Sequence, residues 1–320
     1  MEIPGNKIDE VLRNLVYARD QDLGHETIRP LLLIPGGAVR GAAINAGHIL
    51  ALNQAGLGSV FENIVGISSG AAVATYFATN NTSQISIGCR FVHERIPDYI
   101  HPEIANIGRI FDTPGIEHEL TCGPYAPDIK KILSSSAGLY FGVIDRKTGE
   151  FVFLKSMEED IFTKVRASMT IPWISRGKAI VNETEYLDGG FYPLPLDEIV
   201  ARFQPTDILI LSNKTKGQLG KQDALGWMLK IYIKKYPKEI RMKIRKSQNQ
   251  LANLADWAGR GVNVGVLFPP DTGIHGLTKN RKALRRAIKL SYEDALAQIA
   301  GSSFRVETEM LNMARLGRSL

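Results

Sequence analysis

The sequence predicts an α/β fold on a mainly parallel, doubly wound sheet, and three observations carry that expectation. Residues 31–34 (LLLI) and 207–211 (DILIL) are short, unbroken apolar runs, the pattern of strands covered on both faces. Strand and helix signals alternate as βαβα through the first quarter of the chain. Glycine clusters at the two junctions where those strands turn toward helices, Pro35-Gly36-Gly37 and Gly66 through Gly70.

A polar helix is expected over residues 6–20, followed by the strand at 31–34 and a sharp turn at its glycines. Residues 41–55, rich in Ala, Ile and Leu and followed by Gly56, read as a closely packed helix with a glycine C-cap. A strand at 61–67 and a helix of small residues at 69–78 follow, the helix stopped by Asn80-Asn81. Residues 96–128 carry Pro97, Pro102, Pro114, Pro124 and Pro127 and read as a long irregular excursion. Strands at 139–144 and 150–154 flank Asp145-Arg146-Lys147-Thr148-Gly149, a hairpin signature that adds an antiparallel element. A helix is expected at 158–169, a strand at 185–187 running into Asp188-Gly189-Gly190, a buried strand at 207–211, a last strand near 262–268 and helix beyond. The expected division is an N-terminal helical extension (1–29), a catalytic core (30–212), and a C-terminal part of the same domain (213–320) with basic helices and the late strand.

Composition excludes several classes. With 320 residues, 44% hydrophobic and 22% charged, the chain is neither collagen-like, coiled-coil nor wholly disordered. Cys89 and Cys122 show no CxxC or Cys/His spacing, so neither a disulfide scaffold nor structural zinc is expected. The N-terminus has no apolar leader segment and no apolar run reaches membrane-spanning length. The expected location is therefore cytoplasmic, with peripheral attachment at the inner membrane face.

Charge is unevenly distributed. Residues 230–246, from Lys230 to Lys246, hold eight Lys or Arg against Glu239 alone, interleaved with apolar residues from Trp227 and Met228 to Ile244 and broken at Pro237. Two readings stay open: an amphipathic segment on an anionic membrane, or surface helices whose apolar stripes face the core while the lysines are solvated. A second block, from Lys279 to Lys289, has six cations and no acid. No recognised nucleic-acid motif accompanies either block, and nucleic acid is not an expected partner.

The chemistry-bearing residues lie at the glycine-rich junctions. Gly66-Ile67-Ser68-Ser69-Gly70 fits the GxSxG elbow, in which a strand enters a strained turn, presents a serine and leaves as a helix. Chance would supply such a motif about 0.15 times in a chain of this composition. Gly36-Gly37-Ala38-Val39-Arg40-Gly41 lies between the first strand and its helix, where successive N–H groups can converge on an oxyanion; its spacing arises by chance about 0.02 times. None of the six histidines stands in a recognisable triad context. A carboxylate can serve as base instead if it is desolvated and within hydrogen-bond reach, and Asp188-Gly189-Gly190 offers one.

These three blocks, in this order, resemble the patatin-like phospholipases, as does Ala167-Ser168-Met169-Thr170-Ile171-Pro172 upstream of the aspartate. The resemblance covers residues 30–212, and similarity to the bacterial branch continues more faintly into the C-terminal helices. Two positions depart from the family pattern: Pro35 before the glycine loop, and Ala38 where a third glycine is usual. The resemblance implies a three-layer α/β/α fold with a mainly parallel central sheet and extra C-terminal helices. It also implies a Ser-Asp dyad with Ser68 as nucleophile and Asp188 as proton acceptor. Gly36, Gly37 and Ala38 would form the oxyanion hole, with Arg40 and Gly41 supporting the loop and Gly66 and Gly70 shaping the elbow. It requires no cofactor or metal. The implied substrate is a phospholipid or other lipid ester, with an anionic membrane surface as partner through the two basic blocks. Transfer to an acceptor other than water, a soluble-ester substrate, and a non-catalytic lipid-binding protein are the alternatives.

Overall fold

The computed structural model describes residues 3–21, 28–102, 109–157, 160–192, 194–219, 231–250 and 254–303. The described residues form a sheet of eight strands. Five run parallel as neighbours in the order β8 (Asn263–Leu267), β7 (Asp207–Leu211), β1 (Pro30–Ile34), β2 (Asn63–Ile67) and β3 (Gly138–Asp145). The antiparallel strands are β4 (Phe151–Lys155) on β3 and the hairpin β5 (Ala179–Val181) with β6 (Thr184–Asp188).

The apolar runs are strands because both faces are covered. Leu32, Ile34, Ile64, Leu209 and Leu211 face one buried cluster, and the alternating Leu31, Leu33, Val65, Ile208 and Ile210 face another. The first face carries α1 (Ile8–Gln21), α2 (Ala38–Gln54), α3 (Ser69–Ala78), α4 (Thr82–Arg90), α5 (Thr113–Cys122), α6 (Ile129–Leu133) and α7 (Ile161–Met169). Opposite lie α8 (Leu196–Phe203) and the short α10 (Ala255–Ala258), through Leu196, Ile199 and Trp257, while α9 (Lys238–Asn249) adds Ile240 and Ile244 to an adjoining cluster with Phe191 and Tyr232. The long α11 (Arg281–Ser303) returns to the first face and crosses α2 so closely that a Cβ on Gly47 would lie 2.8 Å from the Tyr292 nitrogen. The result is the three-layer α/β/α arrangement with extra C-terminal helices. The N-terminal α1 is packed into the same body: Val11, Leu12 and Leu15 are buried, and the Lys7 N–H donates to Val264 O at 3.0 Å.

Local signals worked where chain chemistry is short-range. Gly56 ends α2 at φ 73°, and Asn80 leaves α3 at φ 45° while the Asn81 side chain caps α4 by accepting from the Gln84 N–H. The Asp145 side chain accepts from the N–H groups of Lys147 and Thr148, and Gly149 sits at φ 78°, closing the β3–β4 hairpin. Two expectations need correction, and one further hairpin has no signal in the sequence. α2 starts at Ala38 and not at residue 41, because Gly37 at φ 139° and Ala38 at φ 51° complete the turn between them. The proline-rich excursion contains α5, since Pro114 occupies its first turn, where no N–H is needed. The β5–β6 hairpin turns on Asn182 and Glu183 at φ 47° and 64°, a two-residue turn in which Glu hides the usual glycine signal. Trp227, Met228 and Lys230 lie outside the described residues.

Candidate active site

Strand β3 brings the two motifs together. Residues 140–142 of β3 pair with both β2 and β4, and residues 143–144 pair with both β4 and β6. β2 and β6 therefore share one edge of β3, end to end. Ile67 is opposite Gly142 and Asp188 opposite Val143, so the residue leaving β2, Ser68, meets the residue ending β6. Ser68 Oγ donates to Asp188 Oδ2 at 2.7 Å. The contact is direct, with no imidazole between them.

Ser68 sits at φ 54°, ψ −131°, a region non-glycine residues rarely occupy and which costs about 1–3 kcal/mol. Three hydrogen bonds hold it there. Its N–H donates to Ser168 Oγ at 2.9 Å, Ser168 Oγ donates to Gly142 O at 2.6 Å, and the Ala71 N–H donates to Ser68 O at 2.9 Å. The elbow glycines are required by close approach. A Cβ on Gly66 would lie 2.7 Å from Ala71 Cα, and one on Gly70 would lie 2.7 Å from Pro35 O. The α3 N-terminus begins immediately after Ser68, which favours negative charge at the site.

Asp188 is 3% exposed and Ser68 8%, so the pair is nearly dry. Burial pushes the Asp188 carboxyl up to about 7, against the opposing pull of hydrogen bonds from Ser68 and from the Gly190 N–H, the latter at 2.6 Å. The Asp188 N–H donates to Thr170 O at 2.8 Å, which ties the end of β6 to the chain leaving α7. A carboxylate poised near neutrality and bonded to a strained serine hydroxyl can accept that proton when the oxygen attacks.

The glycine-rich junction packs against the same serine. A Cβ on Gly36 would lie 2.9 Å from Ser68 Oγ, and one on Gly41 would lie 2.6 Å from Gly36 O, so neither position accepts a side chain. Gly36 O accepts from Asn213 Nδ2, and the Val39 N–H donates to Gly276 O at 3.2 Å. Among the described residues the N–H groups of Gly37 and Ala38 have no acceptor, and they lie at the N-terminus of α2, where backbone donors favour an anion. Ala38 is itself at φ 51°, a conformation that glycine adopts more readily than a residue with a methyl group. Arg40 is half-buried in the first turn of α2.

Sequence reasoning missed two contributors. Ser168 supports the elbow across 100 positions of sequence, and only its place in a motif marked it. Asn213 follows β7, at the carboxyl end of a parallel strand, where α/β proteins gather their sites, and that placement could have singled it out. His48, by contrast, is buried in α2 with its imidazole lowered to about 3 by burial, and it takes no part in the site. Among the described residues no group of three or more His, Cys, Asp or Glu side chains converges as a metal site.

Comparison with known proteins agrees with the motifs. No curated protein matches the chain. Among solved structures, the crystal structure of VipD from Legionella pneumophila is similar with a TM-score of 0.41 and 11% sequence identity, over 86% of this chain and 67% of that one. The family model described as patatin-like phospholipase matches residues 32–200, more than half of the chain and the span from within β1 through the Asp188 turn, and the protein belongs to that family.

Proposed function

We propose that this protein is a serine-dependent lipid acyl hydrolase in which Ser68 is the nucleophile and Asp188 its base. The observation that carries the proposal is the direct 2.7 Å bond from the strained Ser68 hydroxyl to a buried carboxyl pushed up to about 7. Asp188 takes the Ser68 proton as Oγ attacks the ester carbonyl carbon. The carbonyl oxygen, now an oxyanion, is held by the N–H groups of Gly37 and Ala38. Collapse of this adduct breaks the ester C–O bond, and the leaving alcohol takes the proton from Asp188. Water then gives a proton to Asp188 and attacks the acyl-enzyme, and the fatty acid leaves as Ser68 recovers its hydrogen.

Family membership supports a lipid ester as substrate, and phospholipid or lysophospholipid is the class proposed. No described helix is long and apolar enough to cross a membrane, so contact with lipid is proposed from the water side. Gly36 and Gly41 allow the loop to close on Ser68, and Arg40 supports it. The test is fatty-acid release from phospholipid vesicles in EDTA by the wild type, Ser68→Ala and Asp188→Asn. Release by the wild type that falls at least about a thousandfold in both variants is expected. Release that survives either substitution, or that EDTA abolishes, would overturn the proposal. Appearance of an acylated acceptor in place of free fatty acid would identify a transferase on the same dyad.

A further inference from the structure

The Asp188 turn continues into an aromatic series that reaches solvent. Phe191, three residues beyond Asp188, packs on Tyr232 at 5.5 Å between ring centroids, and Tyr232 packs edge-on against Trp173 at 4.9 Å. Phe191 and Tyr232 are buried, whereas Trp173 is 54% exposed. Trp173 also stands close to the dyad in sequence, three residues after Thr170, whose carbonyl accepts the Asp188 N–H.

The backbone beneath Trp173 is unusual. The Ile174 N–H donates to Ile171 O at 3.2 Å, closing a turn with Pro172 at its second position and Trp173 at its third, with φ 65°. Glycine is at home at that position. A bulky side chain there is strained, and strain of this kind gathers where function holds it. The chain thus holds its largest kind of side chain outward, in a disfavoured conformation, three residues from the carbonyl that accepts the Asp188 N–H.

What surrounds Trp173 indicates what it meets. Ile231, adjacent to Tyr232, is 42% exposed. Lys235 Nζ lies 3.8 Å from the centroid of the Tyr232 ring, and Lys234 beside it is exposed. Farther along the segment, Lys243 and Lys246 have acidic neighbours in Glu150 and Asp197, but Lys234 and Lys235 have no ion pair among the described residues. The apolar stripe of α9, Ile240 and Ile244, is buried against the body and cannot enter a bilayer. Among the described residues, Trp173 and Ile231 are exposed apolar groups at this rim, next to cations.

An anionic surface with an apolar layer just beneath it matches that pairing: lysines meet the charge, and an amphipathic indole settles at the boundary. Nucleic acid and acidic protein surfaces offer the charge without the apolar layer. We propose that the rim formed by Trp173, Ile231, Lys234 and Lys235 is the surface by which the protein docks on a bilayer containing anionic lipid. The proposal rests on the lipid-hydrolase reading and names the membrane face that serves the site.

The test measures binding in the Ser68→Ala background, so that vesicles stay intact and binding is read apart from catalysis. Vesicles of phosphatidylcholine alone and of phosphatidylcholine mixed with phosphatidylglycerol are co-sedimented with this protein and with versions carrying Trp173→Gly or Lys234→Gln with Lys235→Gln. Glycine suits the backbone at 173, so this variant keeps the turn. Binding to the mixed vesicles is expected to fall at least about tenfold with Trp173→Gly. The lysine pair should lower binding to mixed vesicles while leaving the weak binding to neutral ones. Equal binding by all versions, equal binding of the parent to both vesicle types, or its retention by an acidic protein but by neither vesicle, would overturn the docking surface. Turnover of a soluble short-chain ester by protein with Ser68 intact is measured in parallel. Its absence would count against the dyad whatever the vesicles show.

Discussion

Between β1 and α3 the backbone does the positioning, whereas in the wall behind Asp188 side chains do it. The first region places Ser68 through left-handed φ angles and glycines whose neighbours lie too close for a methyl group. The second is an interlocking set of rings, Phe191, Tyr232 and Tyr236, resting on α9. Backbone geometry of the first kind has almost no tolerance, since a carbonyl cannot step aside for a Cβ. Ring packing of the second kind loses stability in small portions as atoms are removed. The contrast places Ser68, the proposed nucleophile, in the rigid region and the exposed rim of Trp173 and Ile231 next to the tolerant one.

The largest effect that sharpens this comparison is electrostatic. Asp188 has a carboxyl raised from 3.8 to about 7, so the native state keeps a proton the unfolded chain has already lost. Stability from this group is complete below about pH 4 and is lost as pH rises through about 7, on the order of 4 kcal/mol in all. Asp188→Asn lacks that dependence. Its stability relative to wild type, measured by urea unfolding at a series of pH values, should rise between pH 4 and 8 by a comparable amount. His48, lowered to about 3, drives stability the other way as it resists protonation, losing it as pH falls from about 6.5. It is present in both proteins and cancels from the difference.

Next comes Gly70→Ala, whose methyl would meet the Ile34 and Pro35 carbonyls. Denaturant unfolding should show a loss of at least about 3 kcal/mol, with the elbow distorted and Ser68 no longer reactive. Ser168→Ala leaves the buried Ser68 N–H without its acceptor and should cost about 2 kcal/mol, with kcat falling more than KM rises because the elbow relaxes. Smallest is Tyr236→Phe in the aromatic wall. It removes the 3.2 Å hydrogen bond to Arg146 O and the hydroxyl's interaction with Tyr232, and thermal unfolding should report about 1 kcal/mol with soluble-ester turnover unchanged. If Tyr236→Phe proved as damaging as Gly70→Ala, the division between a rigid and a tolerant region would be wrong.

The same division explains what could be read from the sequence. The elbow, the glycine junction and the Asp188 turn announce themselves because close backbone approach and, at Gly37, a positive φ demand glycine at fixed offsets, and the buried strands announce themselves as apolar runs. Asn213 and Ser168 act through distant partners, Gly36 O and the Ser68 N–H, which no local pattern encodes. The β5–β6 turn uses Glu183 in a conformation whose usual marker is glycine, so its signal was absent. The basic segment 230–246 left two readings open, and in its described residues Ile240 and Ile244 turn out to face the core. Its exposed partner in the rim, Trp173, comes from a turn nearly sixty residues earlier, a juxtaposition that only tertiary structure makes.

In the proposed mechanism Asp188 acts on Ser68 directly. The measurement that tests it most directly is the rate at which a fluorophosphonate labels Ser68 as a function of pH, in wild type and in Asp188→Asn. The wild-type rate is expected to climb to a plateau through an inflection near about pH 7, as the carboxylate becomes available to take the proton. The rate in Asp188→Asn is expected to be lower by at least about a hundredfold and to lack that inflection. Labelling of Asp188→Asn at the wild-type rate, or with the inflection intact, would contradict it and place the base elsewhere.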